Sequence, residues 1–325
     1  MPDEVFALSD RRWRQANFAA APVRFYRLTD VFVAGEGLVF DRTKTLFGET
    51  RKAHSDKDIR QALGSIETLV SSPDPNRQYS RAILCKQSGS ENYGHWLTEM
   101  LPKLFLSKSE LGFKHYLYVV PSVCGQMGDV ICESAALAGV SKDELLPLDR
   151  GAAYFAELIV LEGLTDHSVY MSPLVLSCLD RLSHDIVGTG APRVYLRRTP
   201  ANARDFENEA QVADILTSAG FTPVTTSRLS FREQIAVVRD AQVVLGTMGA
   251  AMANVAFCRP GSEVCLFGPA SAREFFFWFV ANLKHLVYYE VRCPEVGVPL
   301  GPLPWDHKIA LSAQELQDFI GKLWF

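Results

Sequence analysis

Residues 229–257 read LSFREQIAVVRDAQVVLGTMGAAMANVAF. Ser230 and Glu233 stand three residues apart ahead of an apolar run with helical period, a capping box that opens a helix. QVVLG (242–246) is a short β-branched run, which predicts a buried strand. GTMGAAMAN (246–254) is a small-residue turn that leads into a second helix. The same rhythm continues on both sides. RVYLRR (193–198) predicts a strand, and NEAQVADILTSAG (208–220) a helix with Gly220 in the C′ position. FTPVTT (221–226) is a short strand, EVCLF (263–267) another, AREFFFWFVANL (272–283) a helix and LVYYEV (286–291) a strand. Strands alternating with helices over short connections predict a Rossmann-like domain. SAQELQDFIGKLWF (312–325) predicts a terminal amphipathic helix.

The amino-terminal half follows a related pattern. VRFYRL, VFVAG and LVFDRT, between residues 23 and 43, predict a small antiparallel meander. AILCK (82–86), LYVVP (117–121) and ELIVLE (157–162) predict strands, separated by helices at HWLTEMLPKLFL (95–106) and GDVICESAALAGV (128–140). LVLSCLDRLSHDIVG (174–188) predicts an amphipathic helix, and GTGAP (188–192) is the best linker candidate. The expected fold class is therefore α/β. The domains divide as 1–187 and 188–308, with 309–325 as a closing helix. Two such domains in tandem imply a cleft, with ligands at the carboxyl ends of parallel strands.

Composition narrows the function class. A chain of 325 residues is long enough for two cores, with 48% hydrophobic and 22% charged residues. A net charge of −4 gives no electrostatic case for nucleic acid. Seven scattered cysteines form no CxxC pair, which argues against a zinc ribbon or a disulfide framework. The opening MPDEVFALSDRRWRQ does not read as a signal peptide, and no run approaches the about 18 apolar residues that span a bilayer. The expected location is cytoplasmic, with peripheral association at the inner face of the membrane.

The chemistry-bearing residues fall into two groups. In ENYGHWLTEMLPKL (91–104), His95 and Glu99 are i and i+4 on one helix face. A carboxylate behind an imidazole fixes its tautomer and can build a general base. Asn92 can cap the helix, and Tyr93 and Trp96 crowd the same start. The same residues also suit a capping Asn, an aromatic staple and an exposed ion pair. Asp166 and His167 follow a strand and form either a second polar site or a plain loop. In the second half, Arg197, Arg198 and Arg204 flank a strand end, where arginine forks suit phosphate oxygens. Solvated loop arginines are the other reading. The 246–254 turn can offer backbone N–H groups to a phosphate, or simply let helix and strand pack closely. No HExxH, Walker A loop, GxSxG or paired metal carboxylates occur, so no metal site is expected.

Taken together these pieces resemble glycosyltransferase family 61. NYGHWLTEMLPKL is similar to that family's Asn-Tyr-x-His-Trp-x-x-Glu-x-x-Pro block. VYLRRTPANARDFENEAQV is similar to its run of arginine, arginine and Asn-Glu, and GFTPV…LSFREQIAVVRDAQVVLGTMGAAMANVAFCRPG to its longest block. The resemblance implies a GT-B fold and an inverting, metal-independent transfer from a nucleotide-sugar, UDP-linked, to a glycan or lipid-linked glycan, as in bacterial capsule or surface polysaccharide biosynthesis. His95 and Glu99 would be catalytic. Arg198, Arg204, Asn208, Thr247, Met248, Gly249, Ala250 and Asn254 would bind the donor. Asn92, Tyr93, Trp96, Asp166 and His167 would lie on the acceptor side, and the closing helix would pack back on the amino-terminal domain. Two positions depart from the family: Met248 stands where a His is usual, and Leu266 where a Glu is usual. They support the alternative of a non-catalytic nucleotide- or glycan-binding protein that kept the fold; a second alternative is another GT-B enzyme such as an epimerase, which would need no acceptor.

Overall fold

The computed structural model describes residues 2–15, 18–52, 54–166, 169–198 and 203–323. They form two compact units, Ala20–Asp166 and Met1–Ala19 with His167–Phe325.

Among the described residues, the first unit is built on a six-stranded mixed sheet. Its strands are β1 (Arg24–Ala34), β2 (Leu38–Phe40), β3 (Gln78–Leu84), β4 (Leu117–Pro121), β5 (Leu145–Leu148) and β6 (Ala153–Glu162), in the order β2-β1-β6-β3-β4-β5. β6, β3, β4 and β5 run parallel, while β1 is antiparallel to both β6 and β2. The three runs expected as a separate meander are thus a hairpin on the edge of the main sheet. VRFYRL and VFVAG are one strand, because β6 offers β1 a partner along its length, from Arg24↔Glu162 to Val33↔Ala153. Val33, Ala82, Val119, Phe155, Leu158 and Val160 pack the core. The helix Asp56–Ser71, opened by a Ser55–Asp58 capping box, buries Ala62 and Ile66 against Leu38 and Phe40.

The second unit has, among its described residues, a five-stranded parallel sheet. Its strands are β7 (Arg193–Arg197), β8 (Thr222–Thr225), β9 (Val243–Thr247), β10 (Glu263–Pro269) and β11 (Val287–Cys293), in the order β8-β7-β9-β10-β11. β9 is buried along its whole length, as a parallel strand covered on both faces should be. The Ser230–Glu233 capping box forms as expected, and Gly220 takes φ +83° beyond the helix Glu209–Ser218. Ala250–Phe257, expected as an α-helix, is a 3₁₀ helix. The chain goes outward from β7 to β8, then returns past β7 to β9. The β7–β9 boundary is therefore a topological switch point, where ligands of open α/β sheets bind.

The helix Pro173–Leu182 and the GTGAP segment belong to the second unit. Thr189 N donates to Ala236 O at 2.9 Å, and Gln242 N to Pro192 O at 2.8 Å, so this segment is pinned rather than a linker. The terminal helix Ala313–Leu323 packs within the second unit. Leu316, Phe319 and Ile320 join Val212, Leu216 and Phe267 in the second unit's core. The chain entering it is already bound there, with Glu207 N donating to Ile309 O at 2.8 Å and Ile309 N to Asp205 O at 3.0 Å.

Candidate functional site

The helical segment from Tyr93 to Glu110 contains two wide π turns, Trp96–Met100 and Leu106–Glu110. The first precedes Pro102, which has no N–H and whose ring crowds the turn before it. Such turns recur at functional sites. Asn92 caps the start, its side-chain oxygen accepting from Gly94 N at 2.9 Å. His95 Nδ1 lies 3.0 Å from Glu99 Oε1. The imidazole is 28% exposed and the carboxylate only 4%. A carboxylate accepts, so Nδ1 carries the hydrogen toward Glu99, which leaves Nε2 as the nitrogen turned away from the pair. Gln87 Nε2 donates to the other carboxylate oxygen. Gly89, at φ +82°, lies on the imidazole, and a Cβ there would meet the ring at 3.2 Å.

Trp96, expected on the acceptor side, is fully buried and donates from Nε1 to Ser134 Oγ at 2.9 Å. It anchors the segment to the helix Gly125–Leu137. Trp96→Phe should therefore cost about 1 kcal/mol of stability, the scale of one hydrogen bond, with turnover per folded molecule unchanged. Thermal melts and kinetics corrected for folded fraction check this. Tyr93 is half-buried and Asp166 exposed, while His167 lies outside the described residues.

In the second unit the structure brings Arg198 and the 247–250 turn together at the switch point. Arg198 Nη1 donates to Ala203 O at 2.9 Å and to Met248 O at 3.1 Å, and Nε lies 3.3 Å from Asp205 Oδ1. Burial lowers the guanidinium's pKa, and the Asp205 carboxylate opposes that. The group lies flat on Gly249, where a Cβ would sit 2.8 Å from Cζ. That glycine is needed for the arginine. Arg204 holds left-handed backbone at φ +69° because its N–H donates to His307 O at 2.7 Å, and its Nε lies 3.4 Å from Asp306 Oδ1. Arg197 pairs with Glu209 at 2.8 Å, and the same carboxylate accepts from Tyr195 Oη at 2.6 Å. Each arginine thus already has a carboxylate beside it, which the sequence reading missed, although Asp205 is adjacent to Arg204.

Several of the expected donor residues have partners within the second unit. Asn208 Nδ2 donates to Leu311 O at 2.9 Å, tying down the terminal helix. Asn254 is buried, with Nδ2 donating to Ala251 O at 3.0 Å and Gln234 Oε1 at 3.3 Å. Thr247 is buried and Ala250 half-buried. Met248 and Leu266, expected to face a donor, are both at 0% exposure. Met248 lies against Gly268, whose Cβ would come within 2.8 Å of its methyl. Leu266 is in register with Glu290 on the adjacent strand. Glu290 is buried and paired with Arg292 at 2.7 Å, and burial raises its carboxyl above the usual range. A carboxylate is therefore present one strand over from the position where the family places its own.

No curated protein matches the chain. The family model Glycosyltransferase 61 matches residues 93–265, more than half of the 325 residues. The match begins at Tyr93, includes the His95–Glu99 pair and Arg198 with its turn, and ends inside β10. On that match the chain belongs to glycosyltransferase family 61.

Proposed function

We propose that this glycosyltransferase is an inverting, metal-independent GT-B enzyme that moves a sugar from a UDP-linked donor to a glycan acceptor of surface polysaccharide. The observation that carries the reading is the His95–Glu99 pair, 3.0 Å apart with the carboxylate buried, on the helix start where the family match begins. His95 Nε2 takes the proton of the acceptor hydroxyl as its oxygen attacks the anomeric carbon in line. The bond from that carbon to the diphosphate breaks through an oxocarbenium-like transition state, and the electron pair leaves with the diphosphate. The 247–250 turn, at the carboxyl end of β9 and braced by Arg198, is the proposed diphosphate seat, with Arg198 and Arg204 supplying positive field.

A second reading, a nucleotide- or glycan-binding protein without turnover, is favoured by the burial of Met248 and Leu266. One experiment separates them. A thermal-shift screen across UDP-, GDP- and CMP-sugars, with and without EDTA, is expected to show stabilisation by a UDP-sugar unaffected by the chelator. Hydrolysis or transfer of that sugar, with the product anomer inverted by NMR, should be lost in Glu99→Ala. Stabilisation without any turnover would favour the binding protein, and no response to any nucleotide-sugar would overturn the transferase and leave only a glycan-binding protein.

A further inference from the structure

We propose that Gln87 is a positioning residue of the transfer reaction, acting through Glu99 on His95. The proposal rests on the reading of His95–Glu99 as the general base. Gln87 lies three residues past β3 in the loop that leads to the helix start. The Gln87 amide Nε2 donates to Glu99 Oε2, while Glu99 Oε1 faces His95 Nδ1 at 3.0 Å. Only a donor suits a carboxylate, so the amide orientation follows from the chemistry.

The choice of an amide has a chemical reason. A carboxylate that is 4% exposed must be hydrogen-bonded to remain charged. A lysine or arginine here would satisfy it and also cancel its charge. A neutral donor hydrogen-bonds the second oxygen without bringing a positive charge of its own against the carboxylate. That charge matters once His95 has taken the acceptor's proton, because the imidazolium is then stabilised by Glu99, which does not itself take the proton.

The loop is built to hold this contact. Lys86, buried next door, donates from Nζ to the carbonyls of Gly35 at 2.8 Å, Leu148 at 2.8 Å and Asp149 at 2.7 Å. Gly37 backs directly onto the Lys86 carbonyl, where a Cβ would come within 2.2 Å. Ser90 N donates to Gln87 O at 3.0 Å and Asn92 N to Gly89 O at 2.8 Å. The result is a rigid strap from β3 to the helix. It sets Gln87 against the carboxylate and Gly89 against the ring.

The test uses the full chain and two variants of near-equal length. Gln87→Met removes the donor. It should lower kcat per folded molecule by about 10- to 100-fold, the range for residues that orient a catalytic side chain, with donor KM within about twofold. Gln87→Glu keeps the shape but makes the donor titratable. It can donate only while a proton is held between the two carboxyls, since two adjacent carboxylates repel. Its kcat relative to wild type should therefore fall as pH rises. A purely structural role would instead reduce the folded fraction and leave a pH-independent ratio. Wild-type kcat in Gln87→Met, or a flat ratio in Gln87→Glu, would overturn the proposal. If His95→Ala shows the base reading itself to be wrong, the Nδ1–H resonance of His95 decides the positioning role separately. Its loss in Gln87→Met and return in Gln87→Glu at low pH would sustain that role, and an unchanged resonance in Gln87→Met would end it.

Discussion

Replacing His95 or Glu99 by alanine should lower turnover by about 10²–10⁴-fold, the value of a positioned general base. The double variant should lose little more than either single one, because groups that act as a unit are non-additive. The structure supports treating them as a unit, since Glu99 is buried and its Oε1 is directed at His95 Nδ1 at 3.0 Å. Donor affinity should barely change. Glu99→Ala also leaves Gln87 without its acceptor, so some loss of melting temperature is expected and turnover must be counted per folded molecule. Near-wild-type turnover in both single variants would place the base elsewhere.

Arg198→Ala should act on stability and on binding together. The guanidinium is 16% exposed, joins Ala203 O to Met248 O, and faces a buried Asp205. Removing it takes away the cation beside that carboxylate, which costs about 3 kcal/mol, the lower end for breaking a buried pair. In the molecules that remain folded, nucleotide diphosphate binding should weaken by about 1.5–3 kcal/mol, the scale of a charge-assisted contact. Arg198→Lys should rescue neither effect. One ammonium cannot span two carbonyls and a carboxylate, nor lie flat on Gly249. Arg198→Met with Asp205→Asn should recover part of the stability but none of the binding, because the buried negative charge goes while the cation stays absent. Chemical denaturation and calorimetric titration of the diphosphate check the two halves. Unchanged affinity in Arg198→Ala would remove the residue from the diphosphate seat.

Local features were legible in the sequence because they depend on residues within a turn or two of each other. The Ser230–Glu233 box, Gly220 beyond its helix, the Asn92 cap and the i,i+4 meeting of His95 and Glu99 all form as their spacing predicts. The Ser55–Asp58 box was equally readable and announces the helix Asp56–Ser71, which the reading of apolar runs passed over. β5 was harder, because Pro147 argues against a strand, and only its place at the sheet edge makes that proline tolerable.

Tertiary structure decided what each side chain faces. Spacing puts Trp96 beside His95, but only the packing of the helix Gly125–Leu137 turns it into the core to meet Ser134. Met248, Asn254 and Leu266 lie where a donor-facing reading was natural, and the cover over a doubly wound sheet buries all three. The terminal helix is amphipathic by sequence, yet which core receives it depends on the pairing of Glu207 with Ile309, more than a hundred positions apart. Gln87 sits twelve residues from Glu99, a separation that carries no periodic signal. The strap that joins them is held where Lys86 finds three carbonyls contributed by the turn at Gly35 and by the end of β5 with the residue after it. Burial and pairing of polar groups are properties of the folded neighbourhood. A single sequence can therefore propose the base of this site, but the residues that hold it in place are chosen by contacts between distant segments.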